Sequence, residues 1–170
     1  MFRTLNQDLE VPNANEDYEA AKIRDELMPF RGWCIRHLPW IKHQMKAMFE
    51  HPTMGAPGCV NFIDARTKWF DCAVNNATCA RGITQVVIVA AGYDTRAYRL
   101  AQPGVTFFEV DLPSASEKKK KLVNKLKLVT SAGRSPVYIA ADLSKVDLTT
   151  ALRNTSFDPS KPALFTIEGH

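Results

Sequence analysis

Four positions in the second half of the sequence carry groups suited to holding a polar ligand, and each closes a short apolar run. Gly92 follows the run 85–91, Asp111 follows 105–110, Asp142 follows 137–141 and Glu168 follows 163–167. A carboxylate accepts hydrogen bonds from two adjacent hydroxyls, and a glycine lets a ligand come close to bare backbone. Asp111 stands 19 residues after Gly92. An acidic residue at roughly 20 is where nucleotide-binding strand–helix–strand units grip ribose hydroxyls. Taken singly, each aspartate reads as a helix cap or a turn residue, which is common after strands. Four such groups at successive run ends favour a bound cofactor.

The loop Ala90-Ala91-Gly92-Tyr93-Asp94-Thr95-Arg96 narrows the choice of ligand. Dinucleotide sites use G-x-G-x-x-G to pack backbone against a pyrophosphate. Only one of those glycines is present, which argues against a nicotinamide-dependent oxidoreductase. The sequence contains no G-x-x-x-x-G-K-[ST], so a P-loop is excluded. A nucleoside without a pyrophosphate, such as S-adenosyl-L-methionine, suits this loop better.

The elements that must position these residues follow from hydrophobic period. The run 85–91, β-branched and unbroken, reads as a strand buried on both faces, which suggests a parallel sheet, and 105–110, 137–141 and 163–167 read as three further strands. Between them lie helical segments. Residues 95–100 form a short one with Asp94 as its N-cap, and Ser114-x-x-Glu117 is a capping box opening a longer one. The buried face of that longer helix is expected to be Leu122, Val123, Leu126 and Val129, and 149–153 can form a further short helix. Strand and helix in alternation predict an α/β, Rossmann-like, doubly wound and mostly parallel sheet, with ligands outside the carboxyl ends of the strands. Residues 1–80 read as a helical lead-in and 81–170 as the α/β half. The tail to Asn15 is polar and reads as loose, 17–28 and 38–49 as helices, and 51–58, with two prolines and two glycines, as a loop. In 61–79 the residues Phe62, Ala65, Trp69, Phe70, Ala73 and Ala77 make an apolar stripe. Arg66 falls inside it. Periodicity favours an arginine whose stem lies along the core and whose head reaches water; the alternative is one held at a buried rim to meet a carboxylate.

The 170 residues, 45% apolar and 24% charged, suit one globular domain with a real core. A net charge of +4 is too small to imply nucleic acid without a concentrated patch. The one basic cluster, Lys118–Lys121 with Lys125 and Lys127, reads as a solvated helix face because no aromatic residues interleave it. The longest unbroken apolar run is six residues, and the N-terminus has no apolar signal core, so neither a membrane partner nor export is expected and a cytoplasmic protein is the default. Cys34, Cys59, Cys72 and Cys79 contain no C-x-x-C pair and no histidine stands near them in a zinc pattern. They read as reduced and mostly buried, and no metal site is expected.

Residues 86–100, V-V-I-V-A-A-G-Y-D-T-R-A-Y-R-L, resemble the signature of the leucine carboxyl methyltransferase family, S-adenosyl-L-methionine-dependent O-methyltransferases with many bacterial and mycobacterial members. The resemblance continues through F-E-V-D-L-P at 108–113, Asp142-Leu143, F-D-P-S at 157–160 and I-E-G at 167–169, with A-R-T-K-W-F-D at 65–71 upstream. It implies transfer of a methyl group to a carboxylate or hydroxyl oxygen, with an acceptor that is a small molecule or a protein C-terminus. It also implies roles. Arg66 would hold the carboxylate of the methionine end, Gly92 would lie against the methionine, and Asp111 would bind the ribose. Asp142 would take the adenine amino group, Leu143 would pack on the ring, and Glu168 would approach the amino end. Lys22 is a candidate for the lysine that binds cofactor in some members. No catalytic base is identifiable. The resemblance further implies that the sheet continues past the fourth strand, so the sequence reads as a cofactor half lacking much of an acceptor half. A non-catalytic S-adenosyl-L-methionine-binding or interaction module is therefore the alternative, and an exposed fourth strand predicts self-association.

Overall fold

Prolines and a buried aspartate set the helix boundaries of the N-terminal region. The computed structural model describes residues 2–130 and 132–168, so Gly169 of the I-E-G match and His170 lie outside the described residues. The chain divides into two compact units, Met1–Phe70 and Asp71–His170.

In the first unit a 3-10 turn, Phe2–Thr4, leads into α1 (Leu5–Asp8), α2 (Tyr18–Leu27), α3 (Pro29–His37), α4 (Pro39–Phe49) and the start of α5 (Cys59–Asn75). The Ala20 N–H donates to the Asp17 carboxylate at 2.8 Å, capping α2. Pro29 and Pro39 stand in the first turns of α3 and α4, where a missing N–H is tolerated. The expected loose tail is ordered. Leu5 is buried, Asn6 Nδ2 donates to Asn61 Oδ1 at 3.1 Å, and the Asn15 N–H donates to Asp64 Oδ1 at 2.8 Å. Polar side chains fasten this segment, and hydropathy does not register such bonds. Arg24 is buried and donates to Thr4 Oγ1 at 2.7 Å, to Asp8, and to Asp25 Oδ1 at 2.9 Å. Burial pushes the Asp8 carboxyl up from its ordinary value even against the pull of Arg24.

The apolar stripe expected on α5 is not its buried face. Val60, Asp64, Thr67 and Val74 are buried, whereas Phe62 and Trp69 are 64% and 67% exposed. The buried positions recur at three and four as a helix requires, but two of them are polar. The larger apolar side chains drew the stripe to the wrong face. None of the residues of α4 is buried either, although Ile41, Met45 and Phe49 have helical spacing.

After α5 and a π-turn at Asn76–Ala80, the second unit runs β1 (Gln85–Val89), α6 (Arg96–Arg99), β2 (Thr106–Asp111), α7 (Pro113–Leu126), β3 (Val137–Ala140), α8 (Leu148–Arg153) and β4 (Leu164–Ile167). All pairings are parallel, in the order β3-β2-β1-β4. The chain winds outward from β1 to β3 and then returns to the other side of β1, so strand order reverses between β1 and β4. This is the expected α/β fold. Phe108 and Val110 pack with Val87, Ile139 and Leu152, and the Phe157 ring meets Phe108 edge-on at 5.6 Å. Glu109, between them in the alternation, faces the other way, toward Lys119 of α7. Three local expectations change. Pro113 opens α7, with Leu112 as N-cap and no side-chain cap, so Ser114-x-x-Glu117 is not a capping box. Leu122 and Val123 are buried, but Val129 is 76% exposed beyond the helix end. Cys34 is buried and Cys59 half-buried, while Cys72 and Cys79 are exposed, and all four are free thiols. No helix among the described residues is long and apolar enough to cross a membrane.

Candidate functional site

The carboxyl ends of β1, β2 and β3 border a groove of about 260 Å³, lined by Ala90, Asp111, Leu112, Asp142, Leu143 and Ser144 among others. Three of the residues singled out by sequence, Asp111, Asp142 and Leu143, therefore meet in one place. Leu143 is 39% exposed, an apolar surface beside two carboxylates. Asp142 Oδ1 accepts from the Ser144 hydroxyl at 2.7 Å and from the Ser144 N–H at 3.1 Å, and Oδ2 pairs with Lys145 at 3.0 Å. The Ser144 hydroxyl, then Lys145, hold its carboxyl down to about 2. Asp142 is thus a turn residue and a groove residue at once.

Gly92 joins the groove through a hydrogen bond. Its N–H donates to Asp111 Oδ2 at 2.6 Å, while the Leu112 N–H donates to Oδ1 at 2.7 Å. The loop bends sharply to do this: φ is +53° at Ala90 and +45° at Gly92. The left-handed region is strained for alanine and open to glycine. Asp94 then closes the turn, its N–H donating to the Ala91 carbonyl at 2.7 Å. Thr95 rather than Asp94 is the N-cap of α6, but Asp94 Oδ1 accepts from the Arg96 N–H at 2.8 Å, so its carboxylate still serves the helix start.

Glu168 stands at the end of β4 in a second cluster. It pairs with Arg96, which is fully buried and also meets Asp94 Oδ2 at 2.5 Å and Asp71 Oδ1 at 2.6 Å. Arg99 shares Asp71 at 2.6 Å. Burial opposes the Arg96 charge, but Asp94, Glu168 and Asp71 outweigh it and raise the guanidinium above its ordinary value. Arg96 and Asp71 were not singled out by sequence, although the D-x-R spacing at 94–96 is the local signal for the first.

A third group lies beneath Gly92 and Asp111. Lys119 Nζ is 2.8 Å from Glu109 Oε2, each side chain is 2% exposed, and Lys119 also donates to the Asp94 carbonyl at 2.7 Å. Burial pushes the Glu109 carboxyl up to about 7 despite Lys119. The lysine run is therefore not wholly a solvated face. Lys118, Lys120 and Lys121 are exposed, while Lys119 falls on the buried stripe Ser116–Lys119–Leu122. A lysine three before a buried leucine was the available signal. In the first unit, the Arg66 guanidinium lies 5.9 Å over the Phe62 ring, and Lys22 Nζ pairs with Glu19 at 3.1 Å. Among the described residues no group of three or more His, Cys, Asp or Glu is placed to hold a metal ion.

Comparison with known proteins gives a consistent result. A model of the leucine carboxyl methyltransferase family matches residues 21–170. A Mycobacterium bovis protein is 43% identical over 121 residues, covering 71% of this chain and 33% of its own length. A Rhodococcus jostii protein is 44% identical over 109 residues, covering 64% and 36%. A second M. bovis protein is 45% identical over 105 residues, covering 61% and 33%. All three are provisionally named S-adenosyl-L-methionine-dependent methyltransferases. The chain spans about a third of the length of these relatives.

Proposed function

Because the chain belongs to the leucine carboxyl methyltransferase family, we propose that it forms the cofactor-holding part of an S-adenosyl-L-methionine-dependent methyltransferase acting on a carboxylate or hydroxyl oxygen. The observation that carries this reading is the groove that unites Asp111, Asp142 and Leu143 at the carboxyl ends of parallel strands. Its donor set fits a nucleoside. Asp111 Oδ2 accepts one hydrogen bond from Gly92 and keeps lone-pair capacity for a ribose hydroxyl. Asp142 Oδ2 is held by Lys145, whose side chain is 78% exposed and free to swing into water, leaving the carboxylate for an adenine amino group. Leu143 offers the ring an apolar surface. Glu168, oriented by Arg96, is assigned to the amino end of the methionine.

The bound cofactor supplies a methyl group already activated by its sulfonium. The protein is left to hold the nucleoside and to align the acceptor oxygen, where proximity supplies most of the rate. A carboxylate acceptor is nucleophilic as it stands, and a hydroxyl needs a base. Calorimetry on the purified chain tests the cofactor: S-adenosylhomocysteine is expected to bind, NAD and ATP are not. Saturable binding of NAD or ATP with none of S-adenosylhomocysteine overturns the reading. A labelled-methyl assay over carboxylate and phenol acceptors tests the reaction, and cofactor binding without transfer to any of them supports the non-catalytic binding module instead.

A further inference from the structure

Lys119 differs from its three lysine neighbours in being buried, and its ammonium touches two separate parts of the second unit. It meets Glu109 of β2 at 2.8 Å and donates to the Asp94 carbonyl at 2.7 Å, in the loop between β1 and α6. It also lies 5.9 Å from the centre of the Tyr98 ring. Apart from this ion pair, neither Glu109 oxygen has a hydrogen-bond partner among the described residues. An apolar pair of the same volume would fill such a site at least as well, because desolvating two charges offsets their attraction. What an apolar pair cannot do is donate to the Asp94 carbonyl. That bond ties the loop to α7, while the Gly92 N–H on Asp111 ties it to β2 and the Asp94 carboxylate ties it to Arg96 of α6. The loop holds the left-handed Gly92 and the exposed Tyr93.

We infer that Lys119, braced by Glu109, is a positioning residue for the nucleoside groove: through the Asp94 carbonyl it fixes the loop whose Gly92 N–H orients the Asp111 carboxylate. The inference deepens the S-adenosyl reading above and rests on it. The discriminating variant is the double Glu109→Met, Lys119→Met. It removes both buried charges together, leaving no lone charge inside, and among the loop's hydrogen bonds it removes only the Lys119 donor to Asp94. Hydrogen exchange is expected to quicken about tenfold at the Gly92 and Tyr93 amides and to stay unchanged at Val87 and Ile88 in β1. S-adenosylhomocysteine affinity is expected to fall about tenfold, the size of one lost hydrogen bond to a charged group. Wild-type exchange in the loop overturns the inference, and so does a loosened loop with wild-type affinity. Glu109→Gln keeps the Lys119 donor and decides the matter if the double variant does not fold. It is expected to retain loop protection and most of the affinity, and an affinity loss of about tenfold with loop protection intact overturns the role given to the Asp94 link. If the wild-type chain binds no S-adenosylhomocysteine, the proposed function falls, while the exchange comparison still decides whether Lys119 fastens the loop.

Discussion

In the second unit the buried side chains are those an apolar pattern selects: Val86, Val87, Phe108 and Val110 are fully buried in the sheet. In the first unit Phe30, Trp33, Trp40, Phe62 and Trp69 are exposed, while Arg24, Asp64 and Thr67 are buried. In the sheet unit the buried charges Arg96, Glu109 and Lys119 gather with Asp111 at or beneath the strand ends. The helical unit uses polar side chains as fasteners between segments, as with Arg24 on Asp8 and Asn15 on Asp64. Polar burial thus has two meanings here. At the strand ends it shapes a groove, and in the helices it ties the chain to itself.

Four outcomes break or sharpen that contrast. The largest concerns the two buried arginines. Arg96 faces three carboxylates, and Arg96→Met withdraws one buried positive charge from all three, although Asp71 keeps Arg99, so we expect a loss of about 3–5 kcal/mol in denaturant unfolding. Arg24→Met takes a partner from two carboxylates, Asp8 and Asp25, but Asp25 keeps Arg36 at 2.8 Å, so it should cost less, about 2–3 kcal/mol. An Arg24→Met loss that exceeds the Arg96→Met loss would reverse the ranking of the two units.

Next come two carboxylates that both accept backbone N–H groups. Asp111→Ala should weaken S-adenosylhomocysteine binding by about 1–3 kcal/mol, and Asp64→Ala should leave that affinity unchanged. Equal affinities for Asp111→Ala and the wild type, read by calorimetry, would remove Asp111 from the site.

Third is a pH effect confined to the sheet unit. Burial raises the Glu109 carboxyl from 4.5 to about 7, so its neutral form favours the fold. Its stabilising contribution is complete below about pH 4.5 and is lost as pH rises through 7. The groups around it are Lys119 from α7, Asp94 from the loop, Asp111 from β2, Tyr98 from α6 and Tyr138 from β3. Glu109→Gln should remove this slope, so the melting curves of the variant and wild type diverge in the variant's favour between pH 5 and 8. Parallel curves across that range would count against a neutral Glu109 in the fold.

The smallest effect is on α5. Phe62→Ser and Trp69→Ser should each change stability by no more than about 0.5 kcal/mol, the usual range for surface positions. A loss near 3 kcal/mol or more, typical of an aromatic residue removed from a core, would return the stripe to the interior.

What was legible in the sequence follows from how local each signal is. β1 needed only its unbroken β-branched run, because a strand covered on both faces has no polar side to blur the pattern, and the other strands followed from short apolar stretches between turn signals. Gly92, Asp111 and Asp142 were legible because each directly follows a strand run, and Leu143 was legible only through the family resemblance. Glu109 and Lys119 were not, since they meet only across 10 residues, and Arg96 shows only Asp94 locally while its partners Asp71 and Glu168 lie 25 and 72 residues away. The ordered tail escaped for the same reason: Asn6 and Asn15 bind Asn61 and Asp64.

The amino-acid sequence by itself determined the alternation of strands and helices, the parallel sheet and, through its motifs, the family to which the chain belongs. These rest on period and spacing, which are local properties of a polymer with fixed backbone geometry. Only the tertiary structure decided which face of α5 is buried, that Lys119 leaves its run for the interior, and that Asp111 and Asp142 share a groove while Glu168 joins Arg96. Those outcomes depend on which charges meet after the chain has turned back on itself, because desolvation and pairing act between groups the sequence keeps far apart.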